Sequence, residues 1–348
     1  MVVAPPKVRL AVAADNAAIA AFVHGQPTGA PFHLPDWGIA VARACGQVHH
    51  TLVVEADGRL QGILPITEMH SPLFGRALVS TGFAVGGGVL SMRNMASALL
   101  IDEVILLAKR LSCGTIELKG GPLPEGWHHD TETYVGFSRP LATDDEAELL
   151  AIPRKQRAEV RKALESALTV ETGNTQLDRD AHYAVYAESV RNLGTPVFPR
   201  ALFEEVLASF WQTSEILTVR HSGVPVASVL SLYHNGTVMP YWGGGTSAAR
   251  HLRANELMYY ALMNHARAKG CTHFDFGRSK VGTGAAAYKK NWGFEPQPLG
   301  YAKLSLDDKP PRSINPLDPK YGLQVRVWKQ LPLGIANIIG PWIARGLG

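Results

Sequence analysis

Residues 51–69, TLVVEADGRLQGILPITEM, place two strand-like segments on either side of Asp57-Gly58. An Asp-Gly pair between alternating apolar residues is a strong β-hairpin signal. The hairpin is followed by a strand-like stretch, ALVSTGF, by three glycines at 86–88, by a helical pattern over about 94–112, and by a second strand-like stretch, TIELKG. This order predicts an α/β unit made of a hairpin, a strand, a glycine turn, a helix and a strand.

The same order occurs again in residues 215–277. EILTVRHSGVPVASVLSLY forms a hairpin around Ser222-Gly223, and TVMPYW, the glycines 243–245, a helical pattern over about 253–270 and HFDFG follow it. Five elements in one shared order predict two copies of one α/β unit. The alternative is an α/β protein that alternates such elements without duplication, and the sequence alone leaves it open.

At 348 residues the chain exceeds one ordinary domain, which agrees with two lobes. We predict an N-terminal lobe over 1–142 and a C-terminal lobe over 143–309, joined where strand character gives way to an acidic helix start near Thr143. A proline-rich connection and an apolar tail then make up 310–348, and four prolines mark the break: Pro310, Pro311, Pro316 and Pro319.

The composition excludes several classes of protein. A formal charge of +4 is too small to indicate a general nucleic-acid binder. The cysteines, Cys45, Cys113 and Cys271, are odd in number and far apart, so we expect neither a disulfide framework nor a zinc site, and a reducing compartment fits. The sequence shows no signal-peptide pattern at its start and no run of the ~20 apolar residues that a membrane span needs. We therefore expect a cytoplasmic protein.

Residues 243–266, GGGTSAARHLRANELMYYALMNHA, place a glycine-rich turn before a helix. Free N–H groups at such a helix start can bind a phosphate or stabilise an oxyanion, and Arg250 and Arg253 would add charge. The glycines could equally serve a tight turn alone. The stretch matches neither the P-loop nor the dinucleotide fingerprint, no GxSxG elbow occurs, and the histidine pairs lack metal-ligand spacing, so we predict no metal.

A row of cations opens the predicted second lobe in IPRKQRAEVRKALESAL. Three arginines at spacing i, i+3, i+7 share one helix face: Arg154, Arg157 and Arg161. Glu159 and Glu165 can relieve Lys155 and Arg161, but they do not neutralise the row. We predict that this face binds an anionic ligand, and a merely solvated helix face is the alternative.

Cations also follow the last predicted strand, in residues 274–294, FDFGRSKVGTGAAAYKKNWGF. Asp275 lies inside the strand between two aromatic residues, and a small-residue loop separates two pairs of cations: Arg278 and Lys280, then Lys289 and Lys290. Such a cluster can surround a phosphorylated or carboxylated substrate. In the competing interpretation Asp275 anchors Arg278 in a structural ion pair.

These stretches resemble FemAB-type proteins, which belong to the GNAT acyltransferase superfamily. The chain is similar in particular to the FemAB-like proteins associated with the XrtA/PEP-CTERM exopolysaccharide and sorting system. The similar segments span most of the chain: PFHLPDW, LPITEMHSPLFGRALVSTGFAVGGGVL, IPRKQRAEVRKALE, RHLRANELMYYALMNHARAKGCTHFDFGRSKVGTGAAAYKKNWGFEPQPL and WKQLPLGIANIIGPWIARGLG.

The resemblance implies an α/β (α+β) fold of two tandem GNAT-like lobes with a cleft between them. It implies transfer of an acyl or aminoacyl group to an amine on a cell-envelope or exopolysaccharide-related acceptor, an anionic small molecule or a glycan-linked substrate. The donor would be acyl-CoA or aminoacyl-tRNA, and tRNA would then be a partner. An N-acyltransferase for small amines and a non-catalytic binding protein for membrane-linked glycan intermediates are the alternatives.

The resemblance also suggests roles for particular residues. The basic helix at 154–162 matches a helix that family members place near the second lobe, and Arg250 and Asn255 match the start of the lobe-two helix. The segment that lines the cleft contributes four residues: Asp275, Arg278, Lys289 and Trp292. Asp275 is our candidate for the base or the amine-orienting group, and Tyr288 is the candidate proton donor.

Two departures from the family pattern leave the donor open. The CoA-pyrophosphate loop of GNAT enzymes, Q/R-x-x-G-x-G/A, is matched only in part, because Leu252 and Ala254 stand at its two small-residue positions. The long coiled-coil arm of some tRNA-using relatives has no counterpart in the sequence.

The tail, RVWKQLPLGIANIIGPWIARGLG, is apolar between two tryptophans and carries cations at both ends. Pro332 and Pro341 limit a regular helix to roughly the eight residues between them. Indoles and cations around a short apolar run are typical of a segment that lies in a membrane interface, so we predict a peripheral contact with the inner membrane. The alternative is that the tail covers an apolar patch on a lobe.

Overall fold

A computed structural model describes residues 5–72, 75–307 and 322–348, and the described chain divides into two compact units. The first unit comprises residues 5–72, 75–131, 299–307 and 342–348, and the second comprises residues 132–298 and 322–341. Each unit has its own β-sheet and its own hydrophobic cluster.

The first unit contains one mixed sheet with helices α1 (Asn16–His24), α2 (Pro35–Cys45) and α3 (Asn94–Arg110). Its strands are β1 (Lys7–Leu10), β2 (Val48–Ala56), β3 (Arg59–Ser71), β4 (Gly75–Ser80), β5 (Leu90–Ser91), β6 (Thr115–Lys119), β7 (His128–Asp130) and, from much later in the chain, β15 (Tyr301–Ser305). The strand order is β1-β2-β3-β4-β6-β15-β7, and β5 pairs with β3.

The second unit contains a seven-stranded sheet in the order β14-β8-β13-β12-β11-β10-β9. Its strands are β8 (Tyr134–Pro140), β9 (Leu168–Gly173), β10 (Ser214–His221), β11 (Val224–His234), β12 (Thr237–Gly245), β13 (His273–Lys280) and β14 (Pro296–Pro298). Its helices are α4 (Asp145–Ala151), α5 (Arg154–Leu164), α6 (Gln176–Leu193), α7 (Arg200–Ser209), α8 (Ala249–Leu252), α9 (Ala254–Ala268), α10 (Gly284–Asn291) and α11 (Gly322–Gln330), and α12 (Leu333–Ala344) follows α11.

The predicted duplication is confirmed by the sheet topology. In the first unit β2, β3, β4 and β6 are neighbours, joined by antiparallel, antiparallel and parallel pairing. In the second unit β10, β11, β12 and β13 repeat that pattern. Helices α3 and α9 occupy the same place in the two copies, between the third and fourth strands. The chain therefore repeats one α/β unit.

The two predicted hairpin turns are also confirmed. Asp57 and Gly58 have φ angles of 51° and 71° between β2 and β3, and Ser222 and Gly223 have φ angles of 49° and 80° between β10 and β11. Two consecutive positive φ angles define the type I′ turn, whose twist matches that of the strands it joins. The same type of turn thus joins the first two strands of each copy.

The structure groups the chain differently from the predicted division at 142/143. Strand β8 precedes Thr143 but pairs with β13 of the second sheet, and β15 follows the second unit but pairs with β6 and β7 of the first. Pairing between segments far apart in sequence has no local signature, so composition could not locate these exchanges. The predicted proline break, Pro310 to Pro319, lies outside the described residues.

Helix α4 is fixed by a buried ion pair. Glu148 is fully buried, and Arg139 Nη2 of β8 donates to its Oε1 over 2.5 Å. The second carboxylate oxygen accepts the Ala142 N–H over 2.8 Å, and the Arg139 guanidinium lies 4.6 Å from the centre of the Phe294 ring. This carboxylate joins the end of β8 to α4 and so sets where the basic helix α5 begins.

We expect Glu148→Ala to lower the free energy of unfolding of the second unit by about 3–5 kcal/mol, because the substitution leaves Arg139 desolvated without its partner. Glu146→Ala, an exposed position on the same helix, should change it by less than about 0.5 kcal/mol. Urea unfolding of both variants, followed by circular dichroism, measures the difference. Equal midpoints would show that the pair does not hold α4 in place.

Candidate functional site

Strands β12 and β13 begin side by side and then separate. Their parallel pairing consists of Thr237 with His273 and Val238 with Phe274. Beyond these positions β12 continues along β11 to Gly245, and β13 continues along β8 to Lys280. Backbone groups on the facing edges of the two strands are thus available to a ligand. In the first unit β4 and β6 pair at four positions, from Ala77–Thr115 to Ser80–Leu118.

Asp275 is the first residue of β13 beyond this pairing. Its neighbours Phe274 and Phe276 point into the hydrophobic cluster, so its side chain lies on the opposite face of the strand. The register with β8 shifts between Asp275 and Arg278, and Gly277 has a φ of 70° there. The Gly277 N–H donates to Asp275 Oδ1 over 2.8 Å. The β-bulge at Gly277 therefore fixes the orientation of the Asp275 carboxylate.

Helix α10 brings Lys289 against the bulge. Lys289 Nζ donates to the carbonyl oxygens of Gly277 and Arg278 over 3.2 and 3.0 Å. The amine also lies 5.5 Å from the ring centres of Phe137 and Phe276. The ammonium group is thus held by two backbone dipoles and two aromatic faces next to Asp275.

Burial changes the acidity of both groups. It lowers the pKa of the Lys289 amine from 10.5 to about 8, with the Asp275 charge acting in the opposite direction and the Arg278 charge in the same direction. It raises the pKa of the Asp275 carboxyl, against the effects of the Gly277 N–H and of Lys289. Each group is shifted toward its neutral form, and such shifts concentrate at functional sites.

Two other cations of this segment, Arg278 and Lys280, contact Tyr134 of β8, and Lys290 is exposed. The Arg278 guanidinium lies 4.5 Å and the Lys280 amine 5.5 Å from the centre of its ring. The predicted ion pair between Asp275 and Arg278 is replaced by the contacts of Asp275 with the Gly277 N–H and with the charge of Lys289. Of these four cations, Lys289 is the one whose charge acts on the Asp275 carboxylate.

Tyr288 and Trp292 lie on the buried side of α10. The Trp292 ring is fully buried, 6.2 Å from Tyr288 and 6.1 Å from Tyr259 between ring centres. Burial raises the pKa of the Tyr288 hydroxyl well above its ordinary value, as expected of a group that keeps its proton. In this structure Trp292 is part of the hydrophobic cluster, which a single sequence could not distinguish from a ligand-stacking position.

A buried polar cluster around Glu256 is a feature that sequence reasoning missed. The side chains of Gln156 and Tyr288 approach the Glu256 carboxyl, and burial raises the pKa of that carboxyl. Among the described residues, four nearby buried atoms have no well-aligned hydrogen-bond partner: Gln156 Nε2, Asn255 Oδ1, Tyr288 Oη and Trp292 Nε1. Buried polar atoms without partners are rare in native proteins and call for an explanation. The signal in the sequence was an acidic residue in the first turn of the helix after the glycine stretch.

The start of α9 adds a candidate anion site. Arg253, the residue before α9, provides no side-chain cap, so the first turn is a candidate anion site, although the Glu256 carboxyl already accepts the N–H of its own residue. Arg253, directly before it, has a φ of 56°, a conformation that usually favours glycine. The Arg253 guanidinium donates to Glu159 over 2.5 Å, whereas Arg250 is exposed. Of the two predicted arginines, only Arg250 presents its charge to solvent.

The three glycines before this helix serve close packing. They are the last residues of β12, and none has a positive φ. A Cβ on Gly244 would lie 2.2 Å from Ser189 Oγ, and a Cβ on Gly245 would lie 2.8 Å from Asn255 Oδ1. The Asn255 side chain therefore rests against the end of β12, and the predicted tight turn is not the reason for these glycines.

Helix α5 has the predicted basic face, except that Arg157 is half-buried. Arg154, Lys155 and Arg161 are exposed, and within the described part of the chain they form no ion pair. Arg157 is half-buried and donates to the Leu150 carbonyl over 3.1 Å. Glu159, expected to relieve this row, instead pairs with Lys162 and with Arg253.

The start of α5 lies beside the end of α10. A Cβ on Gly293, which follows α10, would lie 3.1 Å from Pro153 Cδ. Helix α5 also packs on α9 through the Arg253–Glu159 ion pair. The second unit thus brings together the basic helix, the start of α9 and the Asp275–Lys289 pair, which are all segments that the sequence singled out.

The described residues contain no candidate metal-binding group and no helix able to cross a membrane. No group of three or more His, Cys, Asp or Glu side chains within residues 5–72, 75–307 and 322–348 is arranged to hold a metal ion. The three cysteines are buried free thiols. Across the same residues, no helix is both long and apolar enough to cross a membrane.

Comparison with known proteins agrees with this geometry. Residues 154–290 match the family model of the acetyltransferase (GNAT) domain. This segment contains α5, the separating strands, α9 and nearly all of α10, and so includes Asp275, Lys289 and Glu256, whereas Trp292 and strand β8 lie outside it. No curated protein matches the chain.

Solved structures show the same architecture. FemX is 16% identical with a TM-score of 0.67, over 84% of this chain and 96% of that chain. A tandem GNAT protein from the clavulanic acid biosynthesis pathway is 13% identical with a TM-score of 0.56, over 88% and 100%. The C-terminal domain of a putative lysylphosphatidylglycerol synthetase from Agrobacterium fabrum is 12% identical with a TM-score of 0.56, over 84% and 92%. The chain thus has a tandem GNAT-like fold, and its residues 154–290 match the model of the acetyltransferase (GNAT) domain.

Proposed function

We propose that the second unit transfers an acyl or aminoacyl group from an activated ester or thioester to an amine on a cell-envelope or exopolysaccharide-related acceptor. The observation that carries the proposal is the Asp275–Lys289 pair at the point where β12 and β13 separate. A carboxylate with a raised pKa is a stronger base than an ordinary one, and an amine with a pKa of about 8 is mostly protonated at neutral pH, so it can donate a hydrogen bond.

The chemical step follows from these two groups. The acceptor nitrogen attacks the carbonyl carbon, a C–N bond forms, and the C–S or C–O bond to the donor breaks. Asp275 accepts the proton that the attacking nitrogen loses, and this proton leaves with the thiolate or alkoxide. The Lys289 ammonium donates a hydrogen bond to the oxyanion that develops on the carbonyl oxygen.

Acyl-CoA is the donor that we propose first, because GNAT domains use it. Its pyrophosphate would bind at the uncapped first turn of α9, with the exposed Arg250 beside it. The exposed row on α5 would bind further phosphates or an anionic acceptor. The same row could bind the backbone of an aminoacyl-tRNA, so the donor must be tested directly.

The proposed acceptor class rests on the sequence resemblance to FemAB-like proteins of the XrtA/PEP-CTERM system. The name of one structural neighbour, a putative lysylphosphatidylglycerol synthetase, supports aminoacyl transfer in a protein of similar fold. Thermal shift measurements with acyl-CoA, aminoacyl-tRNA and nucleotide-sugar precursors would identify the donor and acceptor classes. Binding without turnover of any donor and amine pair would favour a non-catalytic protein over the proposed enzyme.

We expect Asp275→Asn to lower kcat by about 10²–10⁴-fold with a small change in KM, because the amide still accepts the Gly277 N–H but cannot take a proton. Glu295→Gln, at an exposed position beyond α10, is the control and should retain full activity. Steady-state kinetics with the donor found above measures both. Retention of kcat in Asp275→Asn would remove this residue from the mechanism.

We expect kcat/KM to fall as the pH rises through about 8, because Lys289 then loses the proton that it donates to the oxyanion. Lys289→Met should lower kcat by about 10²–10³-fold and abolish this limb of the pH profile. Lys289→Arg keeps its charge at high pH and should shift the limb upward. An unchanged profile in Lys289→Arg would assign the limb to another group.

Lys289→Met should also raise stability at pH 7. The folded-state pKa of about 8 lies below the ordinary 10.5, so burial penalises the protonated amine, and its contribution to stability rises with pH between these values. We expect a gain of about 1–2 kcal/mol at pH 7 that disappears by pH 10.5, after allowance for two lost hydrogen bonds. Urea unfolding at several pH values checks it, and a pH-independent difference would contradict the burial account.

The double variant Arg154→Gln/Arg161→Gln should raise KM for an anionic substrate, leave kcat nearly unchanged, and flatten the dependence of KM on salt, because both charges are exposed and form no ion pair with a described residue. Arg110→Gln, on α3 of the first unit, is the matched control. If KM and its salt dependence match the wild type, the row is a solvated helix face.

A further inference from the structure

Helix α12 presents its large apolar side chains to solvent and its small ones to the protein. Ala336, Gly340 and Ala344, at spacing i, i+4, i+8, are buried. Ile335, Ile338, Ile339 and Trp342 are exposed at spacing i, i+3, i+4, i+7. A helix that only covered a core would face it with the larger residues. This arrangement is the reverse of the ordinary one.

The inner side of the tail is nevertheless firmly packed. A Cβ on Gly340 would lie 3.1 Å from Val197 N, so the helix backbone lies directly against the segment after α6. Helix α11 is held in the same unit, where Arg191 Nη1 donates to the Lys329 carbonyl over 3.1 Å and Val325 contacts Gly194. The isoleucines of α12 are therefore exposed although the opposite side of the helix is packed against the protein.

The outer side forms an apolar surface, which we name the tail face. Ile338 is 79% exposed, Ile335 45%, Ile339 41% and Trp342 49%. Positions three and four apart are neighbours on a helix, so these side chains are contiguous. Helix α11, the preceding helix of the tail, also exposes two apolar side chains, Leu323 and Val327, which are 69% and 54% exposed. Contiguous apolar surface of this kind marks an interaction site on a monomer.

The charges around the tail face indicate the partner. Residues 322–348 carry Arg326, Lys329 and Arg345 and no aspartate or glutamate, and all three cations are exposed. A partner that offers an apolar interior behind a negatively charged surface satisfies both properties. An anionic lipid bilayer has this composition, with indoles favoured at headgroup depth.

The dimensions fit a helix lying in the interface. Helix α12 continues through Pro341 and so exceeds the roughly eight residues that the sequence predicted. At 1.5 Å per residue its 12 residues extend about 18 Å, well short of a hydrocarbon core of about 30 Å. An apolar face with flanking cations can bury itself to about 5–10 Å in the headgroup region. We propose that the tail face binds the surface of a bilayer that contains anionic lipid. The sequence predicted such a contact or a packed tail, and the structure provides a packed side and a free side on the same helices.

Vesicle co-sedimentation of the full-length protein tests the proposal. Wild type should bind vesicles of phosphatidylglycerol and phosphatidylcholine, and binding to phosphatidylcholine alone should be at least tenfold weaker. Ile338→Glu should weaken binding to anionic vesicles at least tenfold. Leu177→Glu on α6, where the side chain is 76% exposed, is the matched control and should bind like wild type.

A charge variant separates the two contributions. Arg326→Gln/Lys329→Gln should reduce binding to anionic vesicles and leave the weak binding to neutral vesicles unchanged. Each variant should unfold in urea at the wild-type midpoint, because the altered side chains are exposed. A misfolded Ile338→Glu would be replaced by Ile338→Gln.

Two results would overturn the proposal. The first is a wild type that ignores anionic vesicles, or an Ile338→Glu variant that binds them like wild type. The second is a wild type that binds anionic and neutral vesicles alike and sediments as a dimer that Ile338→Glu converts to a monomer. The tail face would then be a contact between two copies of the chain. Because no step requires enzymatic activity, failure of the proposed acyl transfer would leave this test intact.

Discussion

Two parallel strands that start together and then separate must leave backbone N–H and C=O groups without sheet partners along their facing edges. Strands β12 and β13 do this after two paired positions, and each keeps a full partner on its outer side. The β-bulge at Gly277 exists because β13 must follow β8 while leaving β12. That bulge aims Asp275, provides the carbonyl groups that hold Lys289, and so fixes the position of α10.

The two copies share this topology but differ in their chemistry. In the first unit β4 and β6 stay paired longer, and the lysine at the end of β6 is buried with its amine donating to the Thr81 carbonyl over 3.3 Å. The first unit has no counterpart, among its described residues, of the Asp275–Lys289 pair that a helix after the last strand creates. Duplication provided two scaffolds, and the charged groups described above are concentrated in the one that matches the GNAT family model.

The sequence predicted those features that depend on local chemistry. Asp-Gly and Ser-Gly pairs require positive φ angles, and both turns form as expected. The helix and strand order of both copies follows from apolar periodicity, and it places Asp275, Lys289 and the basic helix in one unit. Features set by distant contacts were missed. Glu256 looks like an ordinary first-turn carboxylate until its burial is known, and Glu159 binds Arg253, 94 residues away, in addition to its helical neighbour Lys162.

The position of β15 has a consequence for synthesis of the chain. This strand lies between β6 and β7 in the first sheet, although the whole second sheet intervenes in the sequence. Ribosomes add about 5–20 residues per second, so β6 and β7 wait on the order of ten seconds or longer for the strand that joins them. During that time the first unit has two open edges, which are a template for pairing with other chains. The first sheet therefore becomes complete only after the ribosome has made the whole second sheet and then β15.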